Sequence, residues 1–108
     1  MQHDLTANRL ADVRAIFRPF CEKHHIRRLE VFGSLAGNRA TPQSDLDLLV
    51  TLDESRPVST SALLEMAGEA EELAGRRVDF VLRQSLDQSR NRLAREHILA
   101  TAVCIYGS

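Results

Sequence analysis

The chain contains no tryptophan, one lysine and only two cysteines. Cys21 and Cys104 form no CxxC and no pairing framework, so nothing in their spacing argues for a disulfide scaffold, and a reduced cytoplasmic compartment is the expected home. Long apolar runs are missing too: none approaches the ~20 residues that a bilayer-crossing helix needs. The opening Met1-Gln2-His3-Asp4 does not begin the charged-then-apolar pattern of a secretion signal. Nor is there an excess of charge. Fourteen basic against fifteen acidic residues give a net charge of -1, which argues against a non-specific nucleic-acid binder with its basic stripe. Repeats, low-complexity tracts and linkers are absent as well.

What remains is an ordinary globular composition: 108 residues, 44% hydrophobic and 27% charged. That length suffices for one modest core, so a single domain over residues 1–108 is expected. Leu10, Val13, Ile16, Phe17 and Phe20 recur at helical spacing, with Asp4 or Thr6 as a cap, and Pro19 should end or kink that helix near Arg18. Arg28 to Phe32 alternates like a strand and stops at Gly33-Ser34. After a turn-rich loop from Gly37 to Ser44, Asp45 to Thr51 predicts a second, largely buried strand. A second helix, capped by Ser59, Thr60 or Ser61, ends at Gly75. Arg77 to Leu82 predicts a third strand, Asp87 to Leu99 a third helix, and Ala102 to Tyr106 a short last strand. The alternation places the chain in the α/β or α+β class, with one sheet face covered.

Charged side chains on a buried strand need a physical reason. Asp45 and Asp47 stand two apart and so share one face, with Leu46, Leu48 and Val50 on the other. Their Cα atoms would lie ~6.7 Å apart. Without a cation between them the two charges repel, and at least one pKa rises. Magnesium suits such oxygen donors because it keeps water and phosphate in its shell. Asp79 interrupts the apolar run Val78, Phe80, Val81, Leu82, and joins the pair if its strand lies alongside. Three carboxylates on one face can hold one or two metal ions and supply a base for a hydroxyl nucleophile. Gly33 lets a bulky anion approach the backbone, and the Ser34 hydroxyl adds a donor to an anion-binding nest.

Each feature alone is weak: an Asp-x-Asp pair is common, and a Gly-Ser is usually only a turn. Gly33-Ser34, ten residues, then Asp45-x-Asp47 is a different matter, because four fixed positions recur by chance in only about one in a thousand such chains. Other residues read more simply as structure. His24 and His25 are expected in a solvated loop, Cys21, Cys104 and Tyr106 in the core, and His97 at the surface. Arg90, Arg92 and Arg95 read as a solvated face of the third helix, with a partner contact as the second choice.

Val31-Phe32-Gly33-Ser34 through Ser44-Asp45-Leu46-Asp47-Leu48-Leu49-Val50 resembles the Gly-Ser-x10-Asp-x-Asp signature of the DNA-polymerase-beta-like nucleotidyltransferase superfamily. Val78-Asp79-Phe80-Val81 is similar to its later third-carboxylate strand, and Ile105-Tyr106-Gly107 to its C-terminal segment. The likeness is to the minimal members, which often act as antitoxins beside a HEPN-type ribonuclease toxin. It implies a mixed sheet flanked by helices, ATP as donor, Mg²⁺ as metal, and AMP transferred to a tyrosine hydroxyl of that toxin. Gly33 and Ser34 would hold the triphosphate. Asp45 and Asp47 would bind the metal, and Asp79 would join them and help activate the acceptor hydroxyl. One stretch departs from the pattern: where many relatives carry Gly-Ser-Arg-x-Arg-Gly, this chain has Gly33-Ser34-Leu35-Ala36-Gly37-Asn38, with Arg39 the nearest arginine. That departure keeps open a rival reading, an antitoxin that neutralises its toxin by docking alone. Transfer of a nucleotide to a small molecule is a third and less favoured one, because the similar antibiotic-modifying enzymes generally need an additional helical domain.

Overall fold

In the computed structural model, residues 10–33, 36–37 and 44–107 are described. Helix α1 (Leu10–Lys23) leads into β1 (Ile26–Phe32) and then β2 (Leu46–Leu52). Helix α2 (Thr60–Ala74), β3 (Val78–Leu82), the short α3 (Arg83–Asp87), α4 (Arg92–Thr101) and β4 (Val103–Gly107) complete the order. The four strands form one sheet in the order β3-β2-β1-β4. β1 runs antiparallel to both β2 and β4, while β2 and β3 are parallel, so the sheet is mixed as expected.

Local sequence explains most boundaries. Ser59 accepts a hydrogen bond from the Ala62 N–H at 3.1 Å and starts α2, whose end is set by Gly75 in the left-handed region at φ 68°. Pro19 does not end α1, one of the two outcomes expected of it: the helix runs on to Lys23. Phe20 and Cys21, the residues just beyond the proline, are buried in the core, and that burial outweighs one lost backbone bond. The proposed caps Asp4 and Thr6 lie outside the described residues. The single helix expected from Asp87 to Leu99 is two. α3 stops at Asp87, and Asn91 then caps a separate α4 by accepting from the Ala94 N–H at 3.1 Å. Arg90 accordingly precedes α4 rather than lying on it, while Arg92 pairs with Glu96 at 2.9 Å.

Helices cover both sheet faces, where one was expected. Val13, Phe17, Phe20 and Cys21 of α1, with Met66, Ala70 and Ala74 of α2, pack on Leu29, Val31, Leu46, Leu48 and Val50. Across the sheet, Leu86 of α3 closes a smaller cluster with Phe32 and Leu49, against which Val81, Ile98 and Ala102 pack. Strand alternation makes this possible: Leu48 faces one helical layer and Leu49 the other, and both are fully buried. No helix among the described residues is long and apolar enough to cross a membrane.

Candidate functional site

The three acidic residues lie at one end of the sheet. Asp47 is the second residue of β2, and in the parallel pairing it stands directly opposite Asp79 of β3. Adjacent strands lie ~4.8 Å apart, and paired residues point to the same side. That side is the one carrying Phe32, Leu49 and Val81, since Phe32 is the β1 partner of Asp47. Asp45 is not on the strand, as had been expected; it is the exposed residue just before β2 begins at Leu46. The strand starts only there because Leu46 is the first residue to pair with β3 and the first to be buried.

The electrostatics bind the three together. Burial lifts the Asp47 carboxyl above its ordinary value, and the negative charges of Asp79 and then Asp45 lift it further. Three carboxylates are hard oxygen donors of the type that divalent cations take. Among the described residues, however, no three His, Cys, Asp or Glu side chains converge closely enough to make a ready-formed metal site.

Gly33 closes the arrangement from the β1 side. It follows β1 directly at φ +74°, a conformation that side chains rarely adopt, and its carbonyl accepts the Gly37 N–H at 3.1 Å. A Cβ built on Gly33 would run into the Asp47 carboxylate and lie 3.1 Å from its Cγ. The glycine is therefore what leaves room for Asp47. Ser34, the other half of the predicted anion cradle, lies outside the described residues, as do Leu35, Asn38 and Arg39.

Several residues around the site were not singled out from the sequence. Glu30 is the one buried charged residue among those described, with Arg28 Nε 3.2 Å from its Oε1. Its signal was the same as that of Asp47, an acidic residue inside a strand. Glu71 accepts the Val78 N–H at 3.2 Å, and Arg76 donates to the Ser44 carbonyl at 3.3 Å; both contacts depend on how α2 meets the sheet. Elsewhere, His24 is not solvated as expected: it packs on Phe20 with ring centroids 4.7 Å apart and bonds to Glu69 at 3.0 Å. Cys21 is buried, whereas Cys104 is only half-buried. Tyr106 packs against the main cluster as expected, and His97 is exposed.

Comparison with known proteins gives this geometry a family. The Nucleotidyltransferase domain family model matches residues 13–105. Over 85 residues the chain is 34% identical to "Putative protein adenylyltransferase MJ0435" of Methanocaldococcus jannaschii, covering 79% of this chain and 85% of that protein. A solved structure described as a "putative minimal nucleotidyltransferase" is 34% identical with a TM-score of 0.65, covering 88% of this chain and 94% of that one. Two further structures share the fold at lower identity. A toxin-antitoxin with AMP-PNP has a TM-score of 0.68 at 16% identity, over 88% of this chain and 73% of that one. The tri-AMPylated Shewanella oneidensis HEPN toxin in complex with MNT antitoxin gives 0.58 at 17%, over 94% and 71%. A family model matched over residues 13–105 and a relative 34% identical over 79% of the chain agree: the protein belongs to the nucleotidyltransferase domain family.

Proposed function

We propose that the protein transfers AMP from ATP to a hydroxyl, a tyrosine of a HEPN-type toxin, and acts as that toxin's antitoxin. The observation that carries the reading is the pairing of Asp47 with Asp79 across β2 and β3, beside a glycine whose missing side chain makes room for the Asp47 carboxylate. Support for the acceptor and donor comes from the relatives: one is named for protein adenylylation, and two share the fold in toxin-antitoxin structures.

In this reading Asp45, Asp47 and Asp79 hold magnesium, which when bound neutralises charge on the triphosphate and on the leaving group. Gly33 and Ser34 seat the phosphates through backbone N–H groups and the Ser34 hydroxyl. Asp79, exposed at the edge strand, takes the proton of the incoming hydroxyl. The hydroxyl oxygen forms a bond to the α-phosphorus, the bond from that phosphorus to the bridging oxygen breaks, and pyrophosphate departs. The reading places the protein in the cytoplasm, where ATP and magnesium are abundant.

The test is calorimetric titration of the protein with ATP, with and without magnesium, beside the double variant Asp45→Asn/Asp47→Asn. Magnesium-dependent binding that the double variant loses is the expected result; equal binding by both would overturn the site. Labelling of the purified toxin from ATP then checks the acceptor. Docking alone is the second reading, favoured by Leu35 and Gly37 standing where many relatives carry arginine. Neutralisation of the toxin by Asp47→Asn without any nucleotide would select it.

A further inference from the structure

β3 is an edge strand, held on one side only by β2, and it carries Asp79 at its second position. At this end of the sheet like charges face each other across the strand pair, so something must hold the β2 approach and the start of β3 in fixed relation. Two hydrogen bonds do so directly, and a third anchors the start of β3 to α2. The Leu46 N–H donates to the Arg77 carbonyl at 2.9 Å, the Val78 N–H donates to Glu71 Oε2 at 3.2 Å, and Arg76 Nη1 donates to the Ser44 carbonyl at 3.3 Å. Each has a partner in the stretch from Glu71 to Val78, where α2 ends and β3 begins. Gly75, left-handed at φ 68°, caps α2 by donating its N–H to the Glu71 carbonyl at 2.9 Å. That turn delivers Arg76 and Arg77 to the sheet end.

Of the three contacts, the Arg76 bond alone ties the residue immediately before Asp45. We propose that Arg76 is a positioning residue: by holding the Ser44 carbonyl it fixes the peptide that leads into Asp45 and so aims the Asp45 carboxylate at the place shared with Asp47 and Asp79. The inference rests on the proposed nucleotidyl transfer for its consequence, while the placement itself stands on the Arg76–Ser44 contact. Arginine suits the task because its guanidinium is always charged and presents several donors in a rigid fork on a long stem. Asp45 needs the support more than Asp47 does. Asp47 sits inside a strand bonded on both sides, whereas Asp45 precedes the strand and is exposed.

The test compares the parent with Arg76→Ala and Arg76→Lys by two readouts, each on the intact chain. The first is amide hydrogen exchange without nucleotide: Arg76→Ala should speed exchange at Leu46 while leaving the amides of β1 and α1 unchanged, and Arg76→Lys should recover part of the protection. The second is affinity for magnesium AMP-PNP, expected to fall about tenfold in Arg76→Ala, as for residues that orient a metal ligand without touching the metal. Unchanged exchange at Leu46, or a uniform rise at every core amide, would overturn the positioning role. If the parent fails to bind AMP-PNP while the local exchange effect appears, the positioning holds and the nucleotide reading falls. Tight binding by parent and Arg76→Ala alike, with no exchange effect, sinks the positioning and leaves the nucleotide reading intact.

Discussion

The two faces of the sheet use the same strands for opposite purposes. Beneath α1 and α2, the strand residues Leu29, Val31, Leu46, Leu48 and Val50 are all apolar and essentially inaccessible. Beneath α3 and α4, the apolar cluster has only Phe32, Leu49 and Leu86 as buried members, and the same face carries Glu30, Asp47 and Asp79. One face excludes water thoroughly enough to hold the fold together. The other is closed incompletely and spends its positions on charge. Even the thiols differ: burial, then the charge of Glu22, pushes Cys21 up to about 12, so it is an inert packing group, whereas Cys104 sits half-buried on the edge strand beside Glu30. The lesson is that stability and chemistry are separable here, because residues one apart on a strand answer to different layers.

That separation can be broken experimentally. The largest effect is expected at Asp47. Asp47→Asn should lower partner labelling ~10²–10⁴-fold, the scale of losing a charged group that acts on the reacting atoms. Its stability should not fall. Burial, with Asp79 and Asp45, holds the Asp47 carboxyl above its ordinary 3.8, so the folded chain binds that proton more tightly than the unfolded chain. Such a group favours the fold below its ordinary value, and the benefit is lost as pH rises through the raised one. At neutral pH the variant should therefore unfold in urea at the same concentration as the parent or a higher one. A lower midpoint would mean that the two faces are not independent.

Phe17→Ala should do the reverse. Phe17 is 1% exposed and packs edge-on against Phe20 with centroids 5.5 Å apart, and its truncation should cost about 3–5 kcal/mol in urea unfolding. The fraction that remains folded should still bind magnesium ATP with the parent's affinity.

Gly33→Ala probes the join between the regions. Its φ of +74° and the overlap of the new Cβ with the Asp47 carboxylate should cost about 1–3 kcal/mol of stability. Nucleotide binding should weaken as well, because the residue displaced is Asp47. A stable Gly33→Ala with full affinity would show that the close approach has no function.

The smallest effect belongs to Glu69 on α2, which bonds His24 at 3.0 Å and Lys23 at 3.2 Å. Burial alone would raise its carboxyl, but the hydrogen bonds from His24 and Lys23 and their charges outweigh it and leave the value below its ordinary 4.5. Stability from this group is present above 4.5 and lost as pH falls through the lowered value. Glu69→Gln should cost about 0.2–1 kcal/mol at neutral pH, and the difference should vanish in acid. Thermal unfolding at the two pH values checks it, with nucleotide binding unaffected.

The sequence exposed the elements and their layers where a single periodicity dominates. α2 could be read with both its ends, because Ser59 and Gly75 act on neighbouring backbone alone. α1 and the segment from Asp87 to Leu99 were harder for opposite reasons. Pro19 is tolerated because Phe20 and Cys21 are buried, and the long segment breaks because Asn91 starts a new helix. Glu30 carried a visible signal that went unread, an acidic residue among Leu29, Val31 and Phe32. Arg76 and Glu71 carried none, since their contacts are with backbone groups 32 and 7 positions away.

By itself the sequence determined the chemical inventory: a glycine ending one strand, three aspartates within or just before strands, and the apolar alternation that buries their neighbours. These follow from backbone period and side-chain type, which are local properties. Tertiary structure decided what only pairing can: that β3 joins β2 in parallel, with Asp79 opposite Asp47. It also decided that Asp45 precedes the strand and that α3 and α4 close the second face. Those outcomes depend on which distant segments share a core, and burial over the whole sheet, not the preference of any one segment, sets that choice.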